Sequence, residues 1–197
     1  MTPNQAFTII KSFYEVEVEN RHLQFIDDEQ VNDTAWQLAN ILTAEKPKFG
    51  VLLCGDCGNG KTTYLYALQN IINWLRDGHY LEDEENSYMK ILGAKELAFM
   101  ARNNYQEFLK ECRYTKILAI DDLGEEPHEV LDYGNIQNPI LELIEYRYDN
   151  QFPTFMTSNL DPAEITEKYG DRIADRLCEM VDRIVFTRKM DQSYRRV

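Results

Sequence analysis

The segment Val51-Leu-Leu-Cys-Gly-Asp-Cys-Gly-Asn-Gly-Lys-Thr-Thr63 limits the folds open to this chain more sharply than any other stretch. Gly55 to Thr62 satisfies G-x-x-x-x-G-K-[ST], an apolar run from Phe49 to Cys54 enters it, and Thr62 to Leu75 leaves it with helical periodicity. Strand, glycine loop and helix in that order make a phosphate-binding loop. Gly55, Gly58 and Gly60 let backbone N–H groups curl around phosphate oxygens, the helix starting near Lys61 turns its positive end toward them, and Lys61 adds a full charge. Asp56, Cys57, Asn59 and Thr63 complete the nucleotide-contacting run, and the Thr62 hydroxyl is placed to hold Mg²⁺. The three glycines do not fit G-x-G-x-x-G, which disfavours a dinucleotide fold.

A chain of 197 residues supports one well-buried core and is too short for two full-sized ones. No run approaches the ~18 apolar residues of a membrane span, and Met1-Thr-Pro-Asn-Gln lacks the basic and apolar start of a signal peptide, so a cytoplasmic location with no membrane partner is expected. Cys54, Cys57, Cys112 and Cys178 are too few and too scattered for a disulfide framework. Cys54 and Cys57 form a C-x-x-C, but both fall inside the phosphate-loop frame, and no second pair or nearby histidine completes a metal site, so they read as pocket lining. The net charge of −13 works against sequence-independent attraction to nucleic acid, but charge is local, so contact with single-stranded DNA is unsupported rather than excluded. Glu82 to Glu85 reads as a solvated acidic loop, whereas Arg188-Lys189 and Arg195-Arg196 make the end of the sequence basic.

Along the chain, a short helix over Asn4–Tyr14 and an amphipathic helix over Asp28–Leu42 precede the first core strand, with Val16 and Val18 alternating between them. After the phosphate-loop helix, strands are expected at Tyr88–Leu92, Lys116–Ile120, Pro153–Ser158 and Arg183–Thr187. Helices are expected at Ala94–Ala101 and on to Glu111, and at Pro139–Asp149, Ala163–Tyr169 and Arg172–Met180, with a turn-rich piece from Gly124 to Asn138. The alternation predicts an α/β fold, a three-layer domain around a mainly parallel five-stranded sheet, with nucleotide beyond the carboxyl ends of the strands. Residues 1–44 form an N-terminal helical extension packing on a core of residues 45–197.

Hydrolysis needs more than a phosphate loop: an acid that positions metal and a group that orients or deprotonates water. Asp121 and Asp122 end an apolar strand, where such acids belong, the first suited to holding Mg²⁺ and the second to polarising the attacking water. Asn159, at the end of a later strand, can reach the γ-phosphate or the lytic water. Taken in isolation, the Asp pair is equally well a turn cap and Ser158-Asn159 a helix cap.

Taken together, these residues resemble the AAA+ ATPases, specifically the DnaC/IstB-type group of helicase loaders and transposition helper ATPases. Gly55 to Thr62 is similar to that group's Walker A, Ile117-Leu-Ala-Ile-Asp-Asp-Leu-Gly124 to its Walker B, Thr157-Ser-Asn-Leu160 to its sensor 1, Gly170 to Leu177 to its box VII, and Ser193-Tyr-Arg195 to its sensor 2. The resemblance covers about residues 45 to 197 and implies a P-loop NTPase of the AAA+/ASCE type with little or no C-terminal helical lid. It implies a Mg²⁺-dependent ATPase with Lys61 on the β- and γ-phosphates, Thr62 and Asp121 on Mg²⁺, Asp122 as catalytic acid/base, and Asn159 as sensor. Arg172, with Arg176 as its rival, matches the arginine finger offered to a neighbouring subunit, and Arg195 the sensor 2 arginine.

The implied role is that of an ATP-hydrolysing, helicase-loader-like protein in DNA replication or transposition, assembled as a ring or spiral and acting with a replicative helicase or a transposase. A different reading is a nucleotide-gated interaction module with negligible hydrolysis, since Asp122 is one methylene shorter than glutamate. A small-molecule kinase is a third reading, but no segment identifies its acceptor site or lid. Glu125 to Asn138 is acidic and contains no Lys or Arg, which disfavours DNA contact through that segment.

Overall fold

In the computed structural model the described residues are 1–81, 83, 85, 87–127, 130–132 and 135–186. Five parallel strands, β1 (Gly50–Gly55), β2 (Met89–Gly93), β3 (Ile117–Leu123), β6 (Thr154–Ser158) and β7 (Asp182–Phe186), lie in the order β2-β3-β6-β1-β7. The inner strands read as near-continuous apolar runs because the sheet is covered on both faces, whereas the edge strand β7 leaves Arg183 and Val185 exposed. Val51, Leu53, Ala119, Phe155 and Ile184 point into one core, and Leu52, Cys54, Leu118, Ile120 and Met156 into the other. The expected three-layer α/β architecture is the observed one.

The first layer contains α1 (Pro3–Asn20), α2 (Glu29–Leu42) and α3 (Lys61–Asp77). Thr2 and Gln5 close a capping box on α1, with Pro3 in its first turn, and Ala6, Ile10, Tyr14 and Val18 make one buried stripe at i,i+4 spacing. That stripe carries the helix through Val16 and Val18 to Asn20, six residues beyond the expected Tyr14, so the alternation is not a strand. Asp28 caps α2 by accepting from Val31 N at 2.9 Å. α1 packs against both α2 and α3, with Tyr14 stacked on Tyr64 at 4.0 Å between ring centroids, and the Tyr64 hydroxyl donates to Val31 O of α2 at 2.9 Å.

On the opposite face lie α4 (Ala94–Asn103), α5 (Tyr105–Tyr114), α6 (Pro139–Asp149), α7 (Pro162–Tyr169) and α8 (Asp171–Met180). The single helix expected from Ala94 to Glu111 is two, because Asn104 ends α4 and caps α5 by accepting from Glu107 N at 3.2 Å. Within the turn-rich piece, β4 (Val130–Asp132) and β5 (Asn135–Gln137) pair as an antiparallel ribbon. Among the described residues no helix is long and apolar enough to cross a membrane.

At the amino ends of β3 and β6 the fully buried Arg147 of α6 donates to the carbonyls of Thr115 (2.9 Å), Lys116 (2.9 Å) and Pro153 (2.7 Å) and to Thr154 Oγ1 (2.7 Å). The opposite, carboxyl ends bring Gly55, Gly93, Asp121 and Ser158 to one edge of the sheet.

Candidate functional site: a nucleotide cleft at the carboxyl edge of the sheet

The phosphate loop turns out of β1 through positive φ at Gly55 (133°), Gly58 (88°) and Gly60 (83°), and Gly60 is the N-cap of α3. Glycine is required twice over at Gly60. Its φ is left-handed, and a Cβ there would lie 2.4 Å from the Tyr14 hydroxyl of α1. Lys61 is buried within the loop and donates to Gly55 O at 2.6 Å and Asp56 O at 2.7 Å. Burial holds its ammonium below the usual lysine range, a cost that a phosphate anion would relieve. Asn59 is only 3% exposed, and its Nδ2 has no hydrogen-bond partner. An orphaned buried donor in a glycine loop fits an anion acceptor.

Asp121 Oδ1 is the centre of the site. It accepts from Thr62 Oγ1 at 3.0 Å and from Thr157 Oγ1 at 2.6 Å, drawing together the start of α3, the end of β3 and the end of β6. The carboxylate and the Thr62 hydroxyl form an oxygen-only donor set, which suits a hard cation such as Mg²⁺. Thr157 also accepts from Asp122 N at 2.8 Å. The β3–β6 register breaks between Ile120 and Leu123, and Asp122 there takes φ 56°, a left-handed conformation that aspartate tolerates. The bulge lets consecutive acids both face the cleft.

The cleft has a volume of about 530 Å³. Cys57, Gly58, Asn59, Gly60, Lys61, Thr62 and Thr63 line one wall, and Asp121, Asp122 and Asn159 another. Gly55 and Asp56 stand behind the wall and hold Lys61 through their carbonyls. Cys54 is buried in β1 with its Sγ 3.6 Å from Ile184 O, and Cys57 is exposed at the mouth. Both thiols are free, so the C-x-x-C lies half in the core and half in the pocket.

Seven further lining residues escaped the sequence reading: Arg21, Leu23, Gly93, Ala94, Lys95, Glu96 and Glu125. Arg21 caps α1, pairs with Glu17 at 3.0 Å and lies 4.9 Å from the Tyr66 ring centroid. Lys95 pairs with Glu125 at 3.0 Å. Arg21, Lys95 and Glu96 signal in the sequence only as charges near a helix end and Glu125 as a charge in a loop, as many solvated residues do, while Leu23, Gly93 and Ala94 carry no such signal. Tertiary packing alone brings them to the loop.

The box VII arginines stand away from this cleft, on α8. Arg172 has a side chain 74% exposed, with Nε 3.3 Å from Glu145 Oε1. Arg176 is 16% exposed, with Nη1 2.5 Å from the same oxygen outside hydrogen-bond geometry, Nη2 3.8 Å from Asp149, and its guanidinium 5.2 Å from the Tyr148 ring. Their ion-pair partners are therefore on α6, rather than the neighbouring Asp171 and Asp175 of their own helix. Glu82, Thr187, the basic Arg188, Lys189 and Arg196, and the sensor 2 candidate Arg195 lie outside the described residues.

No family model matches the chain. The replicative helicase loader DnaI of Bacillus subtilis is 26% identical over 147 residues, an alignment covering 70% of this chain and 43% of DnaI. The chain thus spans less than half the length of that curated relative. Among solved structures, a DnaC helicase loader superposes with a TM-score of 0.62 at 22% identity, covering 83% of this chain and 93% of that one. DnaI superposes at 0.60 and 23% identity, covering 83% and 88%. AMPPCP-bound DnaA from Aquifex aeolicus superposes at 0.55 and 18% identity, covering 87% and 50%. The chain shares the fold of these DnaC, DnaI and DnaA structures, and the resemblance to DnaC-type loaders read from the motifs is borne out.

Proposed function

We propose that this chain, an AAA+ P-loop fold of the DnaC type, binds MgATP in the cleft and hydrolyses it as the motor of a helicase-loader-like protein in DNA replication. The observation that carries this reading is the convergence of Thr62 and Thr157 on Asp121 Oδ1 beside a phosphate loop with an orphaned donor. The loader likeness of the sequence and the AMPPCP named with a structural neighbour support it.

In this reading Lys61 leaves the Gly55 and Asp56 carbonyls for the β- and γ-phosphates, and Asn59 Nδ2 and the backbone N–H groups of the loop donate to the remaining phosphate oxygens. Thr62 and Asp121 would hold Mg²⁺, which would supply charge neutralisation to the phosphates when bound. Asp122 takes the proton of the attacking water, and Asn159 orients that water against the γ-phosphate. Arg172 completes the site of the next subunit, because it is 74% exposed and its ion pair with Glu145 is made at the surface. Arg176 is a structural residue of the α6–α8 contact. An arginine supplied in trans requires a head-to-tail assembly, and the partner that fits the likeness to DnaI is a replicative helicase.

The test is steady-state ATPase activity with nucleotide binding measured alongside. Arg172→Ala lowers turnover by ~10³-fold at unchanged ATP affinity, the scale of a lost arginine finger. Wild-type turnover in Arg172→Ala would refute the finger, and a wild-type chain that binds ATP without turnover would favour a nucleotide-gated module.

A further inference from the structure

Glu126 is 4% exposed, four residues beyond Asp122, in a loop with no secondary structure of its own. Its carboxylate accepts from Gly124 N at 2.8 Å and from the Tyr169 hydroxyl, and lies 3.4 Å from Lys168 Nζ. Lys168 Nζ also donates to Gly124 O at 2.5 Å and Glu126 O at 2.8 Å. Apart from the Gly124–Glu126 bond, which lies within the loop, these contacts join the loop that follows the catalytic acid to the last turn of α7. Gly124, at φ 107°, presses this loop so close to the segment after Asn159 that a Cβ there would lie 2.6 Å from Leu160 Cδ1. Ser158 Oγ donates to Leu123 O at 2.7 Å on the same side.

Tyr169 is followed by Gly170 (φ 80°, ψ 161°), which opens α8, and Arg172 stands in the first turn of that helix. The cluster therefore lies between the acid of this chain's own cleft and the arginine it exposes. A buried ion pair stabilises a fold no better than a well-packed apolar plug, but directional bonds fix one arrangement of loop and helix where apolar contacts would tolerate several.

We propose that Glu126 is a positioning residue which, through Lys168 and Tyr169, couples the Asp122 loop of one subunit to the α7–α8 unit that presents Arg172 to the next. Nucleotide at the cleft shifts the Asp122–Gly124 loop, the loop carries the end of α7 with it, and the orientation of Arg172 follows. The inference rests on the proposed nucleotide site but not on hydrolysis.

Hydrogen exchange of the full chain, compared with ADP and with AMPPCP, tests it. The wild type shows a nucleotide-dependent difference across residues 165–176. Glu126→Gln and the milder Tyr169→Phe, which removes one hydroxyl, abolish that difference while binding AMPPCP within about twofold of wild type and melting cooperatively. In the ATPase assay both lower kcat about tenfold with little change in KM, the pattern of a misplaced catalytic group. A difference at 165–176 that persists in both variants, or its absence from a wild type that binds both nucleotides, overturns the coupling. Failure of the wild type to bind AMPPCP at all instead removes the nucleotide-site reading, and the coupling with it.

Discussion

Arg147 and Asp121 show how differently two charged side chains can be used in one domain. Asp121 sits at the carboxyl edge of the sheet with its Oδ1 shared by two hydroxyls, a geometry that leaves the rest of the carboxylate for a cation. Arg147 is fully buried at the amino edge, and burial pushes its guanidinium down to about 10, with no carboxylate bonded to it. Four hydrogen bonds stabilise it in place of a counter-ion. Arg147→Met would leave the Thr115 and Lys116 carbonyls without this donor, while Pro153 O keeps the Leu118 N–H at 3.2 Å. A loss of about 3 kcal/mol or more in unfolding free energy is expected by denaturant titration, with ATP affinity of the folded fraction unchanged because the cleft is at the other end of the sheet.

At the scale of elements, what could be read from the sequence and what could not separate along a physical line. The phosphate loop, the end of β3 and the end of β6 are contiguous runs whose chemistry is set by local geometry, and the structure brings them to one cleft. Arg21 and Glu126 belong to no such run; the packing of α1 on α3 and of α7 on the Asp122 loop gives them their places. The same limit applies to α1, where a period-2 reading of Val16 and Val18 yields to the four-residue stripe that docks on α3. The C-x-x-C divides in the same way, since spacing joins two thiols that strand and loop then separate. Burial holds the Cys54 thiol above its usual range and pushes Cys112 up to about 12, so neither offers thiolate near neutral pH. Maleimide labelling followed by peptide mapping is expected to modify Cys57 and Cys178 in the native chain and spare Cys54 and Cys112. MgATP is expected to protect Cys57 alone.

For the whole molecule, the parallel direction of the five strands of the main sheet places their carboxyl ends on one edge, and the proposed nucleotide cleft follows from that placement. Arg172 lies outside the cleft, on α8, so the proposed finger serves a second copy. The net charge of −13 means that copies repel at long range, and assembly is expected to depend on short-range contacts and on salt. Subunit complementation tests the central claim most directly. Asp122→Asn destroys a chain's own site but keeps its arginine, and Arg172→Ala keeps the site but loses the arginine. Each variant alone is expected to be nearly inactive, and an equimolar mixture to regain a substantial share of wild-type ATPase activity at the mixed interfaces. A mixture no more active than the sum of its parts would contradict a site shared between subunits.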